Sequence, residues 1–149
     1  MGVGQLAGSQ ASRITYTLES SLESVNRLEQ TAEDLAKRAG LDEDEAYRVS
    51  MAVREASVNA VLHGNRYHPN KRVTASFETD NGSLVIRIAD EGEGLDPENL
   101  PDPLAPENLL RGSGRGIFLI RSFMDEVHFR RLEPGTELTL VKHLNAATT

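Results

Sequence analysis

Three features of this sequence predict an α+β fold: a two-layer α/β sandwich, with helices covering one face of a mostly antiparallel mixed sheet. Apolar residues alternate in five short runs and recur at helical spacing in three others. Two of the alternating runs are joined by Asn81-Gly82, the strongest short hairpin signal. The chain has 149 residues. That suits one domain, which buries about 68–70% of its unfolded surface.

The elements follow in order. Met1–Ser12 is rich in Gly, Ser and Gln, has no apolar period, and reads as a disordered tail. Residues 13–144 read as the domain, and 145–149 as a second tail. Arg13–Leu18 alternates as a strand with Ile14, Tyr16 and Leu18 on its buried side. Ser20-x-x-Glu23 has the form of a capping box, followed by Leu22, Val25, Leu28, Ala32, Leu35 and Ala39 at helical spacing, with Gly40 as the stop. Asp42-x-x-Glu45 opens a second helix, striped by Ala46, Val49, Val53, Ala56 and Ala60 and running to about His63-Gly64. Val73–Phe77 and Leu84–Ile88 form the Asn-Gly hairpin. Ile117–Met124 reads as a helix, and Val127–Leu132 and Thr136–Val141 as strands joined at Glu133-Pro134-Gly135. Between Asp90 and Gly116 no period survives. Residues 92–114 hold four prolines and four glycines, and a structureless stretch of that length is usually a lid or a disordered segment. The lid is expected at about 96–113.

Composition excludes several classes. With 16 Lys+Arg against 23 Asp+Glu, the net charge of −7 argues against direct nucleic-acid or anionic-membrane binding. The absence of cysteine removes disulfide scaffolds, thiolate metal sites and cysteine nucleophiles. No apolar run approaches the ~18–20 residues of a membrane span, and the opening residues do not resemble a signal peptide. A soluble, cytoplasmic protein is expected.

Three clusters carry candidate chemistry. Glu55, Asn59 and His63 lie four residues apart on the second helix, in a slanted row beside its apolar stripe. A Glu there can take a proton from a hydroxyl, and an Asn can offer Mg²⁺ an uncharged oxygen. Asp90-Glu91-Gly92-Glu93-Gly94 leaves the end of a strand. Its Asp can accept from the exocyclic amine of a base, and its glycines let backbone approach a flat ligand. Gly112-Ser113-Gly114-Arg115-Gly116 precedes an apolar helix, where free amides and the positive dipole end make an anion site. Each alone fits an ordinary solvated helix face, strand exit or glycine linker. In this order they make a coherent nucleotide site: a base-reading carboxylate, a metal ligand, and a lid with phosphate-binding amides. Neither glycine cluster fits a Walker A or Rossmann pattern.

These residues resemble a known family. Glu55-Ala-Ser-Val-Asn59-Ala-Val-Leu-His63-Gly is similar to the N box of the GHKL ATPases, whose ATP-binding domain is also called the Bergerat fold. Asp90-Glu-Gly-Glu-Gly94 resembles their first glycine box, Ser113-Gly-Arg-Gly-Ile-Phe the second, and Gly135-Thr136 their Gly-Thr element. Within that superfamily, Gly114–Val127 resembles the bacterial anti-sigma-factor serine kinases of the RsbW and SpoIIAB type. The resemblance covers about residues 13–142. It implies Glu55 as general base, Asn59 as Mg²⁺ ligand and Asp90 as acceptor from the adenine amine, with Thr136 nearby. It further implies that Gly92 and Gly94 pass close to the nucleotide, and that Gly114 and Gly116, with Ser113, face the phosphates. Family members often carry a lid Arg before the Ser-Gly-x-Gly segment. Gly112 occupies that place here, with Arg111 and Arg115 on either side.

The resemblance implies a serine/threonine kinase that uses ATP and Mg²⁺, sequesters a sigma factor, and phosphorylates an anti-anti-sigma (STAS-type) antagonist in a partner switch. Dimerisation is a family expectation. A non-catalytic nucleotide-binding module that only holds a partner is the alternative, and phosphate transfer to a protein separates the two. The ATPase part of a histidine kinase fits less well, because no helix with a phospho-accepting His is apparent.

Overall fold

Five strands and three helices follow one another as the apolar patterning predicts. The computed structural model describes residues 12–92 and 116–144. The order is β1 (Ser12–Glu19), α1 (Leu22–Arg38), α2 (Glu43–Val58), a π-helical turn (Asn59–Gly64), β2 (Arg72–Asp80) and β3 (Ser83–Ala89). After these come α3 (Gly116–Phe123), β4 (Glu126–Arg131) and β5 (Thr136–His143). The expected tails, Met1–Ser12 and 145–149, fall outside the described residues except for Ser12, which starts β1. The expected lid also lies outside them.

The strands form one sheet in the order β1-β2-β3-β5-β4. All four pairings are antiparallel, so the parallel component of a mixed sheet is absent among the described residues. β3 and β4 run in the same direction, but the last hairpin inserts β5 between them. Asn81 and Gly82 both have positive φ, 53° and 80°, as a two-residue type I′ hairpin requires.

Alternation sends one side chain of each pair into the core. Val73, Ala75 and Phe77 on β2, Leu84, Ile86 and Ile88 on β3, and Leu138 and Leu140 on β5 are buried under the helices. The helices answer with Val25, Leu28, Ala32 and Ala36 on α1, Val49, Ala52, Val53 and Ala56 on α2, and Ile117 and Ile120 on α3. Alanines on α1 and α2 leave no long side chains between their backbones, so the two helices can pack closely. Phe77 meets the edge of Tyr16 at 6.2 Å between ring centroids, and Arg27 stands 5.5 Å over the other ring of that pair, Tyr16. No helix among the described residues is long and apolar enough to cross a membrane.

Helix starts depart from expectation in one place. The N-cap of α1 is Ser21, which accepts from the Ser24 amide at 3.2 Å, rather than Ser20. Ser20 is already committed, since its hydroxyl donates to the Lys71 carbonyl at 2.6 Å. Leu22, just inside the cap, is 52% exposed and does not join the stripe. Asp42 caps α2 as predicted, accepting from Glu45 N–H at 2.8 Å. At its far end α2 does not continue as α-helix to Gly64. From Asn59 it widens into a π turn, closed by Asn65 N–H donating to Ala60 C=O at 2.8 Å, five residues back. Arg66 and Tyr67 then take positive φ, 52° and 58°, which non-glycine residues rarely adopt. Such irregular backbone is common near functional sites.

Candidate functional site

The C-terminal ends of β1 and β3 and the starts of β2 and β5 share one end of the sheet, and the π turn lies against it. Asp90 follows the last residue of β3. Its amide donates to Thr136 C=O at 3.0 Å, and Thr136 N–H donates back to Asp90 Oδ1 at 3.2 Å. Gly92 N–H donates to the same Oδ1 at 3.0 Å. With both amides on Oδ1, Oδ2 is turned toward the Cα of Gly64, where an added Cβ would overlap it. Burial raises the Asp90 carboxyl above its ordinary value. The two amide hydrogen bonds and the Lys71 charge pull it back, and Glu91 adds to the rise.

Three glycines bring the segments together. A Cβ on Gly92 would overlap the Gly64 carbonyl, and one on Gly135 would overlap the Asp90 carbonyl. Gly135 also has φ +109°, a conformation that favours glycine. The π turn, the exit of β3 and the entry to β5 therefore touch backbone to backbone around one carboxylate.

Glu55 and Asn59 lie on the helix that leads into this turn. Both are half-buried, beside the buried Ala56 and Ala60. The Asn59 amide bonds back to the Glu55 and Ala56 carbonyls, which holds the two side chains one turn apart. The π turn breaks the slanted row beyond Asn59, and His63 is exposed rather than part of the cluster. Gly116 is the first residue of α3. Gly94, Arg111, Ser113, Gly114 and Arg115 lie outside the described residues. Of the sequence candidates, the structure brings together Asp90, Gly92 and Thr136, with Glu55 and Asn59 on the helix that ends beside them.

Sequence reasoning missed two contributors. Gly64 is the wall facing Asp90 Oδ2, and Asn65 binds the neighbouring Glu91 N–H at 2.8 Å. Both were legible only as a helix stop, because their partners lie about 26 residues ahead.

A groove of about 510 Å³ lies elsewhere, lined by Arg13, Arg87, His128 and Arg130 among others. Its charges are largely self-paired: Arg87 with Glu78 at 3.1 Å, Arg130 with Glu137 at 3.3 Å, and His128 with Glu126 at 3.0 Å. None of the candidate residues lines it.

A strand-end carboxylate fixed by backbone amides, glycines that clear its approach, and a helix carrying Glu-x-x-x-Asn match one known domain. A sequence profile described as the histidine kinase-like ATPase domain matches residues 18–142. The chain belongs to the histidine kinase-like ATPase family.

Members of the family similar to this chain include serine-protein kinase RsbW of Staphylococcus epidermidis. It is 34% identical over 140 residues, which span 88% of this chain and 86% of that protein. Serine-protein kinase RsbW of Staphylococcus aureus is 33% identical over 138 residues, with the same two shares. Among solved structures, the RsbU and RsbW domains of a Mycobacterium tuberculosis protein superpose with a TM-score of 0.65 at 16% identity. That match covers 89% of this chain and 32% of the other. It shows that the histidine kinase-like ATPase fold is shared.

Proposed function

We propose that this chain is an ATP-dependent serine/threonine protein kinase that acts as an anti-sigma factor. It would phosphorylate an anti-anti-sigma antagonist of the STAS type and hold a sigma factor when that antagonist is absent. The observation that carries the reading is Glu55, half-buried one turn before Asn59, in a chain 34% identical to a serine-protein kinase.

The chemistry assigned to each residue follows from its place. Asp90 Oδ2 accepts from the adenine amine, with Thr136 beside it. Gly92 and Gly94 leave room for the base and sugar. The amides of Gly114 and Gly116, with Ser113, hold phosphate oxygens at the start of α3, and Arg111 or Arg115 adds positive charge there. Glu55 takes the proton of the antagonist's hydroxyl as that oxygen bonds to the terminal phosphorus, and the bond to the leaving ADP oxygen breaks. In-line transfer of this kind needs position and charge neutralisation more than covalent chemistry.

The donor set suits Mg²⁺. Asn59 offers a neutral, half-buried amide oxygen beside the proposed phosphate path. Mg²⁺ at a nucleotide site usually takes one or two protein oxygens plus phosphates and water, and when bound it neutralises phosphate charge. Among the described residues no three His, Asp or Glu side chains stand together as a metal site, so Asn59 would serve with the nucleotide. A sigma factor as partner places the protein in the cytoplasm.

The test is single-turnover transfer from ATP with Mg²⁺ to cognate antagonist domains. Phosphoserine or phosphothreonine on the antagonist supports the kinase. Tight binding of antagonist and ATP without transfer returns the reading to a non-catalytic module.

A further inference from the structure

Asn65 is 1% exposed, and its amide is used on both ends. Nδ2 donates to Ser20 Oγ at 2.8 Å and to Arg72 C=O at 2.9 Å, while Oδ1 accepts from Glu91 N–H at 2.8 Å. Ser20 passes the connection on to Lys71 C=O, and Glu91 Oε1 accepts from Arg72 N–H at 2.8 Å. One side chain thus ties the end of β1, the start of β2 and the exit of β3 into a closed ring of hydrogen bonds. None of these partners is adjacent in sequence.

Asp90 sits inside that ring. Thr136 fixes its own amide on one side, and Asn65 fixes the next amide, that of Glu91, on the other. The peptide that carries the carboxylate is therefore clamped at both ends. Asn65 also follows Gly64 directly, so the same residue holds the wall that Oδ2 faces and the turn that aims it. A hydrogen bond weakens steeply once its angle falls away, so a small rotation of this turn would matter more than a small change in stability.

We infer that Asn65 is a positioning residue for base recognition: it sets the discrimination between a purine with an amine at position 6 and one with an oxygen there. The inference rests on Asp90 as the adenine acceptor. Asn fits because the ring needs two donors and one acceptor from one short planar group. Asp keeps the shape but turns the donors into acceptors, facing the Arg72 carbonyl.

The test compares ATP with inosine triphosphate, which differs at position 6, in calorimetry with Mg²⁺ on the full chain. Loss of folded protein lowers both affinities alike and leaves their ratio unchanged, so the ratio reports aim rather than stability. The wild type should prefer ATP by about tenfold or more, because the 6-oxo base sets an oxygen against a carboxylate. Asn65→Asp should bring that ratio down several-fold, toward the value of Asp90→Asn. If Asn65→Asp keeps the wild-type ratio, Asn65 is structural only and the inference is overturned. If Asn65→Asp does not fold, Ser20→Ala removes one acceptor of the ring and should lower the ratio about twofold; an unchanged ratio there also overturns it. A wild type that binds both nucleotides equally rejects Asp90 as the acceptor, a different failure.

Discussion

Asp90 and Thr136 bond to each other twice: the Asp90 amide reaches the Thr136 carbonyl at 3.0 Å, and the Thr136 amide reaches Asp90 Oδ1 at 3.2 Å. The pair extends the β3–β5 ladder by one residue and uses a side-chain oxygen to do so. A carboxylate held by ladder geometry keeps its orientation whether or not ligand is present.

Removing that carboxylate should uncouple binding from folding. Asp90→Ala leaves the adenine amine without its acceptor, which costs about 1–3 kcal/mol, or roughly 5–150-fold in nucleotide affinity. Calorimetry with ATP and Mg²⁺ measures it. Unchanged affinity in a folded variant would remove Asp90 from the site.

Gly64→Ala tests the wall that faces the carboxylate. Its backbone is not in the left-handed region, so the helix tolerates alanine, but the new methyl overlaps Asp90. Nucleotide affinity should fall about tenfold or more, since both the carboxylate and its approach are displaced. Gly40→Ala is the contrast. It has φ +102° and open space around it, so it should cost about 1–3 kcal/mol of stability and leave affinity alone. Equal effects of the two substitutions on affinity would contradict the placement of Gly64.

Glu55→Gln keeps size and hydrogen bonding but not basicity. Transfer to the antagonist should drop about 10²–10⁴-fold, less if the transition state is loose, while nucleotide affinity stays close to wild type. Wild-type transfer rates in single-turnover experiments would show that another group takes the proton.

The raised carboxyl of Asp90 gives a pH dependence of known sign. The folded state holds its proton more tightly than the unfolded chain, so this group's contribution to stability is fully present below the ordinary value of 3.8. It is lost as pH rises through the higher folded value. Nucleotide affinity should move the other way, rising as Asp90 ionises. Melting temperatures of ligand-free wild type and Asp90→Asn across pH 3–7 should diverge in that window, with the variant at least as stable at neutral pH. Parallel curves would mean that Asp90 titrates as an exposed carboxylate.

Most of the fold was legible because its signals are local. Alternation in Val73–Phe77 and Leu84–Ile88, the Asn81-Gly82 turn and the Asp42 cap each depend on residues within a few positions. Ser20 misled because a long-range bond to Lys71 outbid the cap. The parallel component failed because strand order is a tertiary property, decided by where the β4–β5 hairpin docks. In the site, Asp90 was readable from its strand exit. Asn65 was not, since a buried amide and a helix-ending amide have the same spelling until their partners are known.

The π turn at Asn59–Gly64 has a consequence for sequence length. A π turn holds one residue more than the α-helix it interrupts, so deleting a residue between Asn59 and Gly64 would restore regular geometry locally. It would also turn everything beyond by about 100°, carrying Gly64 and Asn65 off the Asp90 carboxylate. The helix can therefore accept substitutions through this stretch far more readily than a change of register. A homologue one residue shorter here needs a different way of aiming its base-binding acid.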